Sequence, residues 1–238
     1  MAACFCSARS TSGSLFLLGS VHLGRSELYG FGPAVEEAYA TSDELVVEVD
    51  LSLLSEQEIV AQSARYLVLP DGRMLRDELM PETWAKLEAY FRDRGAAITV
   101  VERLKPWAVS TVIAVMEFQA AGMKEEYGID RYFIDDAAEA RRPIRGLETL
   151  QSQLEALDGL SPRVQELMLE DALARTIDDP GTLVTAWEEG DEEWLTRQLF
   201  GPLEENPEFE EFYQAIFFRR NLEMTAQLAE LVRDGRRR

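Results

Sequence analysis

Short apolar runs alternate with longer segments of helical periodicity over the first 150 residues of the chain. The runs at 14–19, 45–51 and 96–101 are rich in aliphatic and β-branched residues, and runs of this length that end near turn residues are typical of buried strands. We predict a central sheet that contains residues 15–18, 45–49 and 98–101. A fourth, shorter strand is predicted at 144–147.

Between and after these runs, the apolar positions recur at helical spacing. Prolines that suit a first helical turn begin some of these segments. The predicted helices lie at 33–40, 55–65, 81–94, 106–121, from 162, around 187 and at 207–232, with a turn at 179–181. This order predicts an α/β (mixed α+β) fold, with a central mixed β-sheet surrounded by helices and a large helical insertion or cap. Residues 1–238 form one predicted domain, in which 1–13 are an N-terminal tail or an edge strand.

The last predicted helix has polar residues on an otherwise apolar face. Arg220 and Asn221 fall on the same face as apolar residues at steps of three, four and seven, namely Tyr213, Phe217, Met224, Leu228 and Leu231. Polar side chains on such a face need buried partners. We therefore expect Arg220 to neutralise a buried carboxylate.

The charge balance narrows the classes of partner. The chain has 24 basic and 44 acidic residues, a net charge of −20, which repels phosphate backbones and argues against nucleic acid. Its apolar stretches are shorter than the roughly 18–20 residues that cross a bilayer. We expect a soluble chain without a transmembrane segment, either cytoplasmic or an exported mature domain whose signal was removed.

His22 is the only histidine in the 238 residues, so any imidazole chemistry must use it. It follows Gly19 by three positions at the end of the first predicted strand, where binding groups collect in α/β folds. An imidazole there can bind a metal or transfer a proton near neutral pH. A structural histidine without a chemical role is the alternative.

Glu48 and Asp50 lie two positions apart on the second predicted strand. Glu48 is flanked by valines, so its carboxylate is expected to enter or border the core, where it must be paired, protonated or bound to a metal. A functional role for Glu48 and an ion pair with an arginine such as Arg220 are both open. A structural role is the better interpretation of Asp50.

Seven ordered segments between residues 14 and 233 resemble the TraB/GumN family, which includes the Tiki-type metal-dependent peptidases. The matching segments are LLGSVHLG with Gly19 and His22, LVVEVDL with Glu48, Lys105-Pro106-Trp107, YGIDRYFID with Asp130, RGLETLQSQ with Glu148 and Gln151, Trp187-Glu188-Glu189-Gly190-Asp191, and the Arg220-Asn221-Leu222-Glu223-Met224 helix. In the family, the Arg-Asn helix is followed by a strand with a second G-x-x-H. The 238 residues end before such a motif, so we expect either that the chain is truncated there or that this family member is degenerate.

The resemblance implies a divalent-metal hydrolase, with Mn²⁺ or Co²⁺ as the cofactor and a peptide or protein as the substrate. His22 and Glu48 are the implied metal ligands or water activators. Arg220 would orient a carboxylate or stabilise an oxyanion, and Asn221 would position ligands. The single histidine favours a second hypothesis, a non-catalytic binding or regulatory protein on the same scaffold. An unpaired sheet edge also makes a homodimer possible.

Overall fold

Helices dominate the computed structural model, which describes residues 5–9, 13–174 and 180–233. The strands are β1 (Phe5–Arg9), β2 (Ser14–Leu18), β3 (Leu45–Val49) and β4 (Ile144–Glu148). The helices are α1 (Pro33–Ala40), α2 (Glu56–Leu67), α3 (Leu75–Glu78), α4 (Pro81–Asp93), α5 (Pro106–Ala120), α6 (Ile129–Glu139), α7 (Leu150–Asp158), α8 (Pro162–Ala174), α9 (Pro180–Glu189), α10 (Glu192–Glu205), α11 (Glu210–Tyr213) and α12 (Arg219–Arg233).

Four strands form two small sheets in the described part of the chain. β1 pairs antiparallel with β2, so that Phe5 lies opposite Leu18. β3 pairs in parallel with β4, so that Val47 lies opposite Gly146. The mixed α/β class and the strands predicted near 15–18, 45–49 and 144–147 are confirmed. The prediction of one sheet that joins the first two runs is wrong, because β2 and β3 belong to different two-stranded sheets.

The strand predicted at 96–101 is also wrong. Ile98–Val100 forms a 3₁₀-helix after the left-handed turn at Gly95, whose φ is 65°. Val101 is buried, whereas Val100 is 68% exposed, so this segment rests on the core by one side only. Periodicity cannot distinguish such a short apolar run from a strand that is buried on both faces.

The largest part of the core lies away from the paired strands. α5 packs against α8, and a cluster that includes Leu75, Leu87, Phe91 and Ile113 fills the space beneath them. α9 begins at Pro180, so Pro180 and Gly181 are helical residues and do not form the predicted turn, while Asp179 lies outside the described residues. The sequence of α5 is strongly apolar because this helix is buried against α8 on one side and against other helices on another side.

A second core cluster supports the loop that follows β2. Its members come from the segment before α1 and from α1, α6 and α9, and include Phe31, Val35, Ile129, Phe133 and Trp187. Pro33 at the first position of α1 fixes a backbone angle suited to a helix start. These contacts hold the end of β2 against the first turn of α6.

The last helix contains a π-helical segment, Gln214–Phe218, between α11 and α12. Tyr213 is buried here beside Leu167 and Phe209, with Phe200, Phe217 and Phe218 packed around them. No helix in the described ranges is both long and apolar enough to span a membrane.

Candidate functional site

A cavity of about 580 Å³ separates the two sheets. Its walls come from β2 and the turn after it, β3, α1, α6 and α12, and Phe5 of β1 and Leu147 of β4 also line it. Aliphatic side chains make up much of the lining, and the polar groups among them include His22, Glu48, Asp130 and Asn221. The structure thus brings together four of the residues singled out from the sequence.

The turn after β2 is held against the start of α6 by its backbone. The Ile129 N–H donates to the Val21 carbonyl over 2.9 Å, and Gly128 lies so close that a Cβ there would be 2.4 Å from the His22 carbonyl oxygen. Only glycine allows this approach without a backbone shift. The Gly-Ser-Val-His and Gly-Ile-Asp segments are therefore two halves of one structural unit.

His22 and Asp130 form a short polar contact between the two halves of this unit. Nδ1 of His22 lies 2.6 Å from Oδ2 of Asp130. The hydrogen bond that His22 donates to Asp130 raises the pKa of His22 against the opposing effect of partial desolvation. Desolvation would raise the pKa of Asp130, but the hydrogen bond and charge of His22 hold it below its usual value. Because an ionised carboxylate only accepts, Nδ1 carries the proton and Nε2 is left for other chemistry.

Arg220 joins two carboxylates on the other side of the cavity. Its Nε lies 2.9 Å from Oε1 of Glu148, and Nη2 lies 2.7 Å from Oε2 of Glu148 and 2.8 Å from Oε2 of Glu48. Nη1 donates to the Ile216 carbonyl. With Nε and both terminal nitrogens engaged, Arg220 is arranged to orient carboxylates, and this use leaves little capacity for an oxyanion. The expected pairing of Arg220 with a buried carboxylate is present, chiefly to Glu148.

Burial distinguishes the two carboxylates that Arg220 binds. The Glu148 side chain is 10% exposed and that of Glu48 is 50% exposed. Burial would raise the pKa of Glu148, but hydrogen bonds from Arg220 and Gln153 hold it below its usual range. The hydrogen bond to Glu148 also raises the pKa of Arg220. Glu48 lies on the cavity side of this cluster, so of the two expected positions it borders the core and does not enter it.

Gln153, the last residue of the RGLETLQSQ segment, is a member of this cluster, whereas Gln151 was the glutamine selected as a site residue. Nε2 of Gln153 donates to Oε2 of both Glu48 and Glu148 over 3.1 Å. Gln151 instead bonds Glu155 on the outer side of α7. Residues two positions apart on a helix point to different sides, and α7 begins at Leu150. The start position of α7 could therefore have identified Gln153 as the residue that faces the cluster.

Three other motif residues lie outside the cavity and have structural roles. Lys105 forms an ion pair with Asp158, and Trp107 is buried beside Ala108 and Leu154; neither lines the cavity. Asp50 is buried and accepts from the Ser52 N–H over 3.0 Å, so it caps a turn, as the structural interpretation expected.

The Trp187–Asp191 segment supports the histidine turn from behind. Trp187 Nε1 donates to the Gly19 carbonyl over 2.6 Å. Gly190 adopts a left-handed φ of 70°, which ends α9, and Asp191 accepts from the Trp194 N–H at the start of α10. This motif positions Gly19 and does not itself reach the cavity.

Potential metal ligands are few at this site. Within the described ranges, no group of three or more histidine, cysteine, aspartate or glutamate side chains is arranged to hold a metal ion. Nε2 of His22 and a carboxylate oxygen of Glu48 are the candidate donors in the cavity. A catalytic divalent cation commonly has about three protein ligands, so these residues do not form a complete site.

Comparison with known proteins supports the family resemblance. The chain is 24% identical over 141 residues to the uncharacterized protein YbaP of Escherichia coli (strain K12), and equally to that of Shigella flexneri; the match covers 59% of this chain and 50% of each relative. It thus spans about half the length of these relatives. No solved structure is significantly similar. The TraB/PrgY/gumN family matches residues 6–237, nearly the whole sequence, and the chain belongs to this family.

Proposed function

We propose that this chain is a hydrolase that acts on peptide or protein substrates through His22. The observation that carries the proposal is the His22–Asp130 hydrogen bond of 2.6 Å. It fixes the imidazole at the cavity wall with Nδ1 occupied and Nε2 available. A histidine held by a carboxylate in this way is a general base whose protonated form is stabilised.

In the proposed reaction, Nε2 of His22 takes a proton from water while the water oxygen attacks the peptide carbonyl carbon. Asp130 stabilises the imidazolium that forms. The imidazolium then returns the proton to the leaving amine, so that the C–N bond breaks and the C–O bond remains. Glu48, oriented by Arg220, would bind the amine side of the substrate or the attacking water.

A divalent cation such as Mn²⁺ or Co²⁺ remains part of the proposal only as a weakly bound cofactor. His22 and Glu48 would be its ligands, and two protein ligands are fewer than a tight catalytic site uses. When bound, such a cation would polarise the substrate carbonyl. None of the proton transfers above depends on it.

The test combines metal titration with turnover. Calorimetry with Mn²⁺ and Co²⁺ should give weak binding that is lost in His22→Ala, and cleavage of a peptide library should be slow and also lost. Asp130→Asn should reduce cleavage by about 10²-fold or more, because the base loses its orienting partner. Asp135→Asn is the matched control, since Asp135 lies on α6 and pairs with Arg131. Cleavage that survives His22→Ala would refute the proposal.

A non-catalytic binding or regulatory protein is the second candidate. The incomplete set of metal ligands and the neutralisation of Glu48 by Arg220 favour it. This alternative expects ligand binding in the cavity without turnover of any peptide in the library.

A further inference from the structure

The amide of Gln153 closes a ring of hydrogen bonds in the Arg220 cluster. Nε2 of Gln153 lies 3.1 Å from Oε2 of Glu48 and 3.1 Å from Oε2 of Glu148. Nη2 of Arg220 binds the same two oxygens, over 2.8 and 2.7 Å respectively. Two donors and two acceptors therefore alternate around the ring. Because ionised carboxylates only accept hydrogen bonds, the amide nitrogen of Gln153, and not its oxygen, must face them.

The ring connects two paired strands to two helices. Glu48 lies in β3, Glu148 ends β4 and Gln153 lies in the first turn of α7. Arg220 binds Glu148 through Nε and Nη2 but Glu48 through Nη2 alone, so Gln153 is the second donor that holds Glu48. Both donors reach Oε2 of Glu48, and the part of the chain that the structure describes makes no hydrogen bond to its Oε1. Gln153 thus helps to determine which oxygen of Glu48 stays available.

Gln153 adds a donor to the ring without adding a charge. Glu48 and Glu148 carry two negative charges against the one positive charge of Arg220, so the ring keeps an excess of one negative charge. An ammonium group in place of the amide would also donate to both carboxylates, but it would cancel this excess. The neutral amide therefore holds Glu48 in place and leaves it able to attract a cation.

We propose that Gln153 is a positioning residue for Glu48, which it holds through Oε2 while its neutrality preserves the charge that attracts a basic side chain on the amine side of the scissile bond. This inference rests on the proposed function, in which Glu48 binds either the amine side of the substrate or the attacking water, and it selects the first of these. A donor with a positive charge at this position would keep the ring intact and remove the attraction.

A double-mutant cycle in urea denaturation tests the hold on Glu48 without any turnover. Gln153→Met keeps a side chain of similar length and helix propensity but removes the donor, so the free energy of unfolding should fall. In the Glu48→Met background the same change should have about half the effect, because one of the two acceptors is already absent. Equal losses in both backgrounds would show that Gln153 serves Glu148 alone, and the positioning role would be overturned.

Gln153→Lys separates the charge from the hold. The lysine retains a donor to the carboxylates, so the urea midpoint should not fall. For a peptide that is cleaved before a lysine, KM should rise about tenfold with kcat little changed, because Glu48 no longer attracts the basic group. For the same peptide with methionine in place of that lysine, the wild-type chain and the variant should have equal KM. A role limited to the fold predicts no such difference between the two peptides.

Gln151, on the outer side of α7, provides the matched control. Its Nε2 donates to Oε1 of Glu155 over 2.8 Å, so Gln151→Met also removes a hydrogen bond between an amide and a carboxylate. Gln151→Lys likewise adds a positive charge to α7, but away from the ring. Both variants should cleave the two peptides with the KM of the wild-type chain. An equal rise of KM in Gln151→Lys would attribute the effect to overall charge and overturn the role of Gln153.

The outcomes distinguish this inference from the proposed function. If the wild-type chain cleaves no peptide, the hydrolase is refuted, and coupling between Gln153 and Glu48 in the urea cycle still supports the positioning role. If cleavage occurs but Gln153→Lys lowers kcat alone, Glu48 acts on the attacking water, and the charge role is overturned while the hydrolase stands. An unchanged KM and kcat in Gln153→Lys would overturn the charge role in the same way.

Discussion

Two charged groups lie on opposite sides of the cavity and differ in burial and in the number of hydrogen bonds that hold them. One is Arg220 with Glu148 and Glu48, and the other is His22 with Asp130. The Arg220 side chain is 18% exposed, and its guanidinium is bound through three nitrogens. The His22 side chain is 74% exposed and held through Nδ1 to one carboxylate. Ion pairs removed from water are costly to break, whereas exposed pairs contribute little. The first group thus supports the structure, and the second is the one whose charge can change.

Removal of Arg220 should have the largest effect on stability. Arg220→Ala leaves Glu148 buried and unpaired, and the loss of one partner of such a pair costs about 3–5 kcal/mol. Urea denaturation measures the change in the free energy of unfolding. Arg219→Ala, at the exposed neighbouring position, is the control and should differ little from wild type. Equal stability of the two variants would show that the guanidinium is not the central support of this cluster.

Gly128→Ala should have the next largest effect on stability, and it should act on the side of the cavity that carries His22. The new Cβ would meet the His22 carbonyl oxygen at 2.4 Å, so the backbone must shift, at an expected cost of about 3 kcal/mol. The His22–Asp130 hydrogen bond should be lost with it. Gly201→Ala is the control: it lies inside α10, and apart from its chain neighbours nothing lies within 4 Å of a Cβ there, so alanine should change the stability by no more than about 1 kcal/mol. A neutral Gly128→Ala would mean that the two segments are not rigidly joined.

Titration of His22 should give the smallest effect on stability. Because the pKa of His22 is raised in the folded state, protonated His22 stabilises the fold at pH values below its unfolded pKa, near 6.5. This contribution is lost as the pH rises through the folded pKa. Because the pKa of Asp130 is lowered in the folded state, ionised Asp130 stabilises the fold at pH values above its unfolded pKa, about 3.9. This contribution is lost as the pH falls through the folded pKa. The pair therefore contributes most between about pH 4 and 6.5, and by less than about 1 kcal/mol because His22 is exposed.

NMR can follow this titration directly, because His22 is the only histidine. In Asp130→Asn the pKa of His22 should fall toward its ordinary value, and in Asp135→Asn it should stay raised. Metal binding and base catalysis both need the neutral imidazole, so both should increase as the pH rises through the His22 pKa. An unshifted histidine pKa in the wild-type chain would show that the hydrogen bond does not persist in solution.

The sequence predicted the parts of the fold that have a local pattern. β2, β3 and β4 were recognisable from their aliphatic runs, and α1, α4 and α5 from prolines at their first positions. Residues 96–101 have the same composition as a strand but bury little beyond Val101, and burial depends on neighbours that are distant in sequence. The separation of β2 from β3 likewise depends on the helices that line the cavity.

At the candidate site, the sequence identified residue types better than partners. His22, Glu48 and Arg220 were selected because they are a lone imidazole and charges in apolar surroundings. Their principal contacts, Asp130 and Glu148, are separated from His22 and Arg220 by 108 and 72 positions. No periodicity spans such distances, so only the motif order of the family suggested that these carboxylates belong to one site. Roles in catalysis stay predictions until the variants are assayed.

The π-helical segment Gln214–Phe218 gives the cavity wall a tolerance to the loss of a residue. Each residue of an α-helix advances the side-chain direction by about 100°, and a π-turn holds about one residue more than an α-turn. Loss of one residue from this wide turn would therefore convert it to an ordinary α-turn, and Arg220, Asn221 and Thr225 would keep their directions. Relatives that share the Arg-Asn motif and are one residue shorter at this turn would present the same side chains to the cavity.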